Sequence, residues 1–219
     1  MLLTSLATTL VLTMAPQERG PSFDCARATT PSEHAICEDP QLARLDRRMA
    51  TAYAALGRRL SATMRAALVR DQRWFLGARD EWQENSARGG FKDFPDTAER
   101  MRNRIAFLDS VQTRPATSLI GSWRNAAGTV EVRPAANGQV SVALSAAQPV
   151  NARWLCEVSG TGRVSNDTMT FAADDGWQVR LTLRSGYLAV EEIGPGGGTG
   201  ARPWCGMNGH VDGEYLPRR

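Results

Sequence analysis

The cysteine pair Cys25 and Cys37 constrains this chain more than any other feature, because the residues between them carry a strong helix-start signal. Thr30 can accept a hydrogen bond from a free backbone N–H of the first turn, and Pro31 suits the first helical position. Glu33 can bond back to the backbone of the capping residue. The sequence therefore predicts a helix that begins at Thr30 and contains Cys37.

This predicted helix is only about two turns long, since Asp39-Pro40 carries the start signal of a second helix. An isolated helix of that length is not stable in water. A disulfide between Cys25 and Cys37 would close a loop of about a dozen residues and contribute about 3 kcal/mol. We therefore predict this disulfide, which is typical of proteins outside the cytosol.

The second pair of cysteines, Cys156 and Cys205, lies in the second half of the chain. An even count divided equally between the halves favours one disulfide in each half. Free buried thiols in a cytosolic protein are the alternative. The chain has no C-x-x-C motif, and its histidines are His34 and His210. We therefore predict no metal site and no cofactor.

Residues 1–20 are predicted to be a signal peptide. The apolar run at 2–14 is too short to span a bilayer, and its length suits the apolar region of an export signal. No basic residue precedes this run, so the signal is weak at its start, and uncleaved anchoring is the alternative. The expected location is periplasmic or secreted, without stable membrane insertion.

Charge argues against a nucleic-acid partner. The 219-residue chain has a formal net charge of +3, and Lys92 is its only lysine. The arginines are spread along the sequence, whereas a nucleic-acid binder concentrates its basic residues on one face.

The first half of the chain, residues 21–112, has a helical period. Apolar residues recur every three or four positions through 42–60, 64–82 and 101–111, while glycines and a proline interrupt the pattern at 86–95. This pattern predicts three long helices after the short first one. Short connections between helices favour an antiparallel bundle.

The second half, residues 119–219, follows a predicted linker at 113–118 and has the period of β-strands. Short alternating segments are separated by turn-forming pairs. About eight antiparallel strands indicate a small β-barrel or sandwich. A disulfide between Cys156 and Cys205 would tie the last strand to the middle of this sheet. The predicted fold is thus α+β with two domains, a disulfide-stapled helical bundle followed by the sheet. The turn pairs are Ala127-Gly128, Asn137-Gly138, Asn166-Asp167, Asp175-Gly176 and Ser185-Gly186.

The segment 71–82 mixes charged and aromatic side chains and is a candidate binding surface. Under this interpretation Trp74 anchors a partner, with Arg73, Arg79 and the distant Trp204 as further contacts. The structural alternative is that Trp74 packs against the protein while the arginines form surface or interhelical ion pairs.

Other candidate sites are weak. The glycine-rich segment Gly194–Gly200 lacks the Lys-Ser/Thr pair of a phosphate loop and is interpreted as a flexible hairpin, or alternatively as a partner contact. Adjacent carboxylates on a strand point to opposite faces, so the acidic pairs near strand ends are interpreted as solvated turns rather than catalytic pairs. These considerations favour a protein that is not an enzyme. The acidic pairs are Asp174-Asp175 and Glu191-Glu192.

The first half resembles the N-terminal domain of the LprI-type lysozyme-inhibitor family. The segments FDCARATTPSEHAIC, DPQLARLDRRMATAY, DQRWFLGARD and RNRIAFLDS occur in the family's order. The chain departs from the family pattern near Trp82, where members usually carry another cysteine. The resemblance implies a secreted or envelope-exposed helical domain, and lysozyme inhibition is reported for a member.

Together these observations predict a secreted or periplasmic, non-enzymatic binding protein. Lysozyme or another envelope protein is the expected partner, and the expected mechanism is steric blocking of the lysozyme cleft. The alternative is a structural or stress-related cell-envelope protein whose barrel binds a ligand or a partner.

Overall fold

The computed structural model describes residues 20–89, 95–198 and 200–219. The predicted signal peptide lies outside the described residues, apart from Gly20. Parts of the two glycine-rich segments near residues 90 and 199 lie outside them as well. In the described chain a helical half is followed by a strand-rich half.

The helical half contains the short first helix and the three long helices that the sequence predicts. A single 3-10 turn precedes them at Cys25–Arg27. The second and fourth helices pack closely together, and the first packs on the second and third. The helices are α1 (Pro31–Glu38), α2 (Pro40–Arg59), α3 (Ala62–Ala87) and α4 (Thr97–Ser110).

The start of α1 is capped as the sequence predicts. The Thr30 hydroxyl accepts a hydrogen bond from the backbone N–H of Glu33. The Glu33 carboxylate accepts hydrogen bonds from the backbone N–H groups of Thr29 and Thr30, at 2.8 and 3.0 Å. The predicted disulfide joins Cys25 to Cys37, with the Cα atoms 5.9 Å apart. Both ends of this short segment are therefore fixed.

The helical half has one apolar core, to which α1 contributes Ile36 with 0% of its surface exposed. Because α1 is too short to be stable by itself, this contact and the disulfide hold it on the bundle. The core also includes these residues: Leu42, Leu45, Met49, Leu56, Leu60, Met64, Leu68, Met101, Ile105, Phe107 and Leu108.

The strand half is one antiparallel sheet of eight strands that forms a nearly closed barrel. Its strand order is β4-β3-β2-β1-β8-β7-β6-β5. The segment around residue 165 contains the turn between β4 and β5, as the pair Asn166-Asp167 predicts. The strands are β1 (Gly121–Arg124), β2 (Gly128–Pro134), β3 (Val140–Ala147), β4 (Leu155–Gly162), β5 (Thr168–Ala172), β6 (Gln178–Arg184), β7 (Tyr187–Ile193) and β8 (Gly213–Pro217).

The second disulfide, Cys156–Cys205, joins the edge strand β4 to the segment that leads into β8. The backbone N–H of Glu157 donates to the carbonyl of Trp204, and that of Gly206 donates to the carbonyl of Leu155. The expectation that this bridge would reach the middle of the sheet is wrong, because β4 lies at the end of the strand order. The bridge instead covers part of an edge that would otherwise be unpaired.

Predicted turns of the sheet adopt left-handed backbone conformations, which Asn, Asp and Gly tolerate. Ser185-Gly186 connects β6 to β7 directly, with φ angles of 50° and 103°. A side chain on Gly186 would also collide with Pro115, so this glycine lets the hairpin approach the linker. Ala127-Gly128 has no positive φ angle, whereas such angles also occur at the three other predicted turns: Asn137, Asn166, Asp167 and Asp175.

The two halves contact each other closely. Large aromatic side chains fill the sheet's core, including Trp123, Phe171 and Tyr215. Leu216 of β8, however, belongs to the helical core. The division of the chain into two folding units at the linker remains a prediction.

Candidate functional site

The predicted partner-binding residues on α3 do not share one surface. Successive residues on an α-helix are about 100° apart, so Arg73 and Trp74 point in different directions. Arg73 is exposed and lines a groove between α2 and α3, beside Tyr53 and Leu76. The structure therefore separates Arg73 from Trp74.

Arg79 is buried, with 6% of its surface exposed. Its guanidinium lies 3.6 Å from the carboxylate of Asp80 and 4.0 Å from that of Asp46 on α2. Arg79 thus forms one interhelical ion pair, with Asp46, and one within α3, with Asp80, and little of its side chain is exposed to solvent.

Trp204 lies partly buried in the strand half. Its ring meets that of Trp177 edge to face, with the centroids 5.7 Å apart. The guanidinium carbon of Arg202 lies over the ring of Trp177, 5.4 Å from its centroid. Trp204 therefore mainly stabilises the segment that carries Cys205.

Trp74 lies where the helical half meets the strand half, and 36% of its surface is exposed. Its ring stacks on that of His210, with a centroid distance of 6.3 Å. His210 in turn contacts the buried ring of Trp154 at 5.4 Å. The position of Trp74 is thus fixed by the segment that leads into β8.

Two exposed apolar side chains lie close in sequence to this cluster, and the sequence analysis did not single them out: Leu155 follows Trp154, and Met207 precedes His210 by three residues. Leu155 is 60% exposed and Met207 is 85% exposed. The hydrogen bond from Gly206 to the Leu155 carbonyl, at 2.9 Å, and the adjacent disulfide fix both residues in place. We call the surface formed by Trp74, Leu155, Met207 and His210 the tryptophan face. A sequence signal for it is the turn Gly206–Gly209, which places a methionine between glycines beside a cysteine.

A groove of about 310 Å³ runs beside Trp74, between α3 and the segment 210–214. Arg70 closes one side by donating two hydrogen bonds to Glu214, at 2.8 and 2.6 Å. This ion pair joins α3 to β8, so the groove has a defined shape.

The imidazole of His210 is paired with a carboxylate. Asp212 Oδ1 lies 3.0 Å from His210 Nδ1. The hydrogen bond between these side chains raises the pKa of His210 and lowers the pKa of Asp212. The tryptophan face therefore gains positive charge in mildly acidic solution.

The acidic pairs near strand ends differ in environment. Asp174 and Asp175 are exposed in a turn, as expected. The interpretation of Glu192 as solvated is wrong, because only 1% of its side chain is exposed. Glu192 accepts hydrogen bonds from Arg202 at 2.8 Å and from the backbone N–H of Val211 at 2.9 Å. It anchors the segment that presents His210.

The described residues contain neither a metal-binding cluster nor a helix that could cross a membrane. Within 20–89, 95–198 and 200–219, histidines, cysteines and carboxylates form no group of three that could hold a metal ion. None of the helices in these ranges combines the length and apolar character needed to cross a membrane.

Comparison with known proteins identifies the helical half. The family model described as "Lysozyme inhibitor LprI" matches residues 25–116. This part of the chain is similar to the LprI family. The match begins at the first disulfide and ends in the linker, so it covers less than half of the chain. It contains Trp74 but not Leu155, Met207 or His210, which belong to the strand half.

No curated protein and no solved structure matches the chain significantly.

Proposed function

We propose that this chain is a secreted or periplasmic binding protein that inhibits a lysozyme by covering its catalytic cleft, and that it has no catalytic activity of its own. The LprI-type helical domain supports the choice of partner. The two disulfides support a location outside the cytosol.

The tryptophan face is the proposed contact surface. The observation that carries this assignment is the exposure of Met207, Leu155 and Trp74 around one disulfide-held segment. Single exposed apolar residues are ordinary, but contiguous ones mark binding surfaces. Aromatic side chains such as Trp74 are also enriched among the residues that dominate binding energy.

Preorganisation makes this surface suitable for an inhibitor. The disulfide and the hydrogen bonds around Gly206 restrict the Met207 segment before a partner arrives. Less conformational freedom is therefore lost on binding. Met207 would enter the partner's cleft, while Trp74 and Leu155 would cover its rim and exclude water. Fully burying one such apolar side chain contributes about 1.5–3 kcal/mol.

The test is a cell-wall lysis assay in which the full oxidised protein is titrated against lysozymes of several types. We expect inhibition at micromolar or lower concentration. Trp74→Ala and Met207→Ala should each weaken inhibition by about tenfold or more, since a contact worth 1.4 kcal/mol changes affinity tenfold.

Val164→Ala is the matched control. Val164 is 42% exposed and lies beyond the opposite end of β4 from Leu155. Its replacement should leave inhibition unchanged. If Met207→Ala and Val164→Ala behave alike, the tryptophan face is not the contact surface. If no lysozyme is inhibited at micromolar excess, the proposed function is contradicted and the envelope-protein alternative is favoured.

A further inference from the structure

A second cleft at the contact between the two halves is lined by arginines. It has a volume of about 180 Å³ and lies between α3, α4, the end of β1 and the loop that follows β3. Four guanidinium groups line it. We call it the arginine cleft and define it by Arg79, Arg100, Arg104 and Arg124, with Phe75 and Phe107 as aromatic walls.

Two of these arginines have acidic partners. Arg104 donates a hydrogen bond to Asp71 at 2.6 Å, and Arg79 lies 3.6 Å from Asp80. Arg104 is nevertheless incompletely satisfied. Its side chain is only 2% exposed, and its buried Nη2 atom has no hydrogen-bond partner within the described chain. A buried cationic N–H group without an acceptor is costly.

The other two arginines have no carboxylate partner among the described residues. Arg100 donates to backbone carbonyl groups only, those of Pro95, Pro149 and Val150. The Arg124 guanidinium makes no hydrogen bond or ion pair with the part of the chain that the structure describes. Carbonyl groups carry no net charge, so the positive charge of this pair is not neutralised by an ion pair.

The partly buried arginines are also close to like charges. Burial, followed by the charges of Arg218 and Arg104, lowers the pKa of Arg124. Burial lowers the pKa of Arg100 to about 10. Both shifts mean that the cationic form of each side chain is less stable in the cleft than in water. A bound anion would reverse this effect.

The walls of the cleft are apolar and aromatic. The Arg104 guanidinium carbon lies 5.1 Å from the ring centroid of Phe75 and 4.6 Å from that of Phe107. The Arg124 guanidinium carbon lies 5.9 Å from the centroid of Phe107. Phe107 is itself buried, so the uncovered apolar wall consists of Phe75, Pro95 and Pro149. A compact ion such as sulfate would leave this wall uncovered, whereas an organic anion would cover it.

We propose that the arginine cleft binds a small organic anion, namely a carboxylate carried on an aromatic or short aliphatic body. The carboxylate would accept hydrogen bonds from Arg124 and Arg100, since a guanidinium matches a carboxylate in geometry. The apolar body would lie against Phe75 and Pro149, since the Arg104 guanidinium already contacts the rings of both Phe75 and Phe107. Neither group belongs to the tryptophan face, so this site is independent of lysozyme inhibition.

The test is calorimetric titration of the full oxidised protein with benzoate, supported by thermal unfolding with and without benzoate. We expect saturable binding and a higher unfolding temperature, because a ligand that binds the folded state stabilises it. Arg124→Gln should weaken binding by about tenfold or more. The Arg124 guanidinium has no hydrogen-bond or ion-pair partner within the described residues, so this variant should fold normally.

Arg133→Gln is the matched control, because Arg133 is an exposed arginine on the neighbouring strand β2. It should bind benzoate as the unmodified protein does. Benzyl alcohol, which has the ring but no charge, and sulfate, which has the charge but no ring, should both bind more weakly. The proposal is overturned if benzoate does not bind at millimolar concentration, if Arg124→Gln binds it equally well, or if either comparison compound binds equally tightly.

Discussion

Different interactions stabilise the helical half and the strand half of this protein. The helical half buries whole charged residues, including Asp71 and Arg104. In the described strand half the buried polar residues are Asn125 and Gln148, and the buried carboxylate of Glu192 is paired. The strand half depends instead on apolar side chains and turn geometry. Polar contacts thus determine how the helices fit together, whereas register determines the sheet.

Asp71 forms hydrogen bonds with both halves. Its Oδ2 atom accepts a hydrogen bond from Arg104 on α4 at 2.6 Å, and its Oδ1 atom accepts one from the backbone N–H of Ala126 at 2.7 Å. A single buried carboxylate therefore connects α3, α4 and the turn between β1 and β2. Replacement of Asp71 should therefore lower the stability of both halves.

Replacing Asp71 should have the largest effect on stability. Asp71→Ala leaves the Arg104 cation buried without its counter-charge, and removal of one partner of a buried ion pair costs about 3–5 kcal/mol. Denaturant-induced unfolding measures this loss. Asp174→Ala, in an exposed turn of the strand half, is the control and should change stability by less than about 0.5 kcal/mol. A loss below about 1 kcal/mol for Asp71→Ala would contradict the comparison between the halves.

Removing the disulfides should have the second-largest effect on the free energy of unfolding. The Cys156–Cys205 bridge joins residues 49 positions apart, and the Cys25–Cys37 bridge joins residues 12 apart. Because the entropy of loop closure grows with length, paired Cys→Ser replacements should cost about 4 kcal/mol in the strand half and about 3 kcal/mol in the helical half. Denaturant-induced unfolding of the two double variants measures both losses and shows which is larger. The reverse order would show that α1 depends on its staple more than loop length predicts.

Removing the cap of α1 should have a smaller effect. Thr30→Ala deletes the hydroxyl that accepts from the Glu33 backbone, and loss of such a cap costs about 1 kcal/mol. Thr51→Ala, at an exposed position inside α2, is the control and should be neutral or slightly stabilising. Equal effects of the two substitutions would argue against the cap as a stabilising element.

The ion pair between His210 and Asp212 should have the smallest effect on stability, and this effect should depend on pH. The raised pKa of His210 means that its contribution to stability is complete below its unfolded value of about 6.5 and is lost as pH rises through the folded value. Both side chains are partly exposed, so we expect a change of a few tenths of a kcal/mol. Unfolding measured from pH 5 to 8 should show a decrease that His210→Gln abolishes. An identical pH dependence in both proteins would refute this assignment.

Local signals explain what the sequence could predict. The cap at Thr30, the disulfide Cys25–Cys37 and the Ser185-Gly186 turn depend on residues close together in the chain. The similarity of the helical half to the LprI family could also be predicted, because the family's motifs occur there in order. Secondary structure and fold class followed from these signals.

Distant contacts explain what the sequence could not predict. Arg79 looks like a surface residue until Asp46 is brought next to it. The segments of Leu155 and Met207 come together only through the Cys156–Cys205 bridge and the bond from Gly206 to Leu155, and His210 connects Trp74 to the second of these segments. The arginine cleft likewise combines residues from α3, α4 and β1. Periodicity reports which face of an element is buried, but it does not report which elements meet.

Hydrogen exchange of the oxidised protein, measured with and without bound lysozyme, tests the central claim most directly. The account predicts slower backbone exchange in the segments around Trp74, Leu155 and Met207, with little change at the opposite end of β4. Slower exchange confined to other surfaces, or no change at saturating lysozyme, would contradict the claim that the tryptophan face blocks the enzyme.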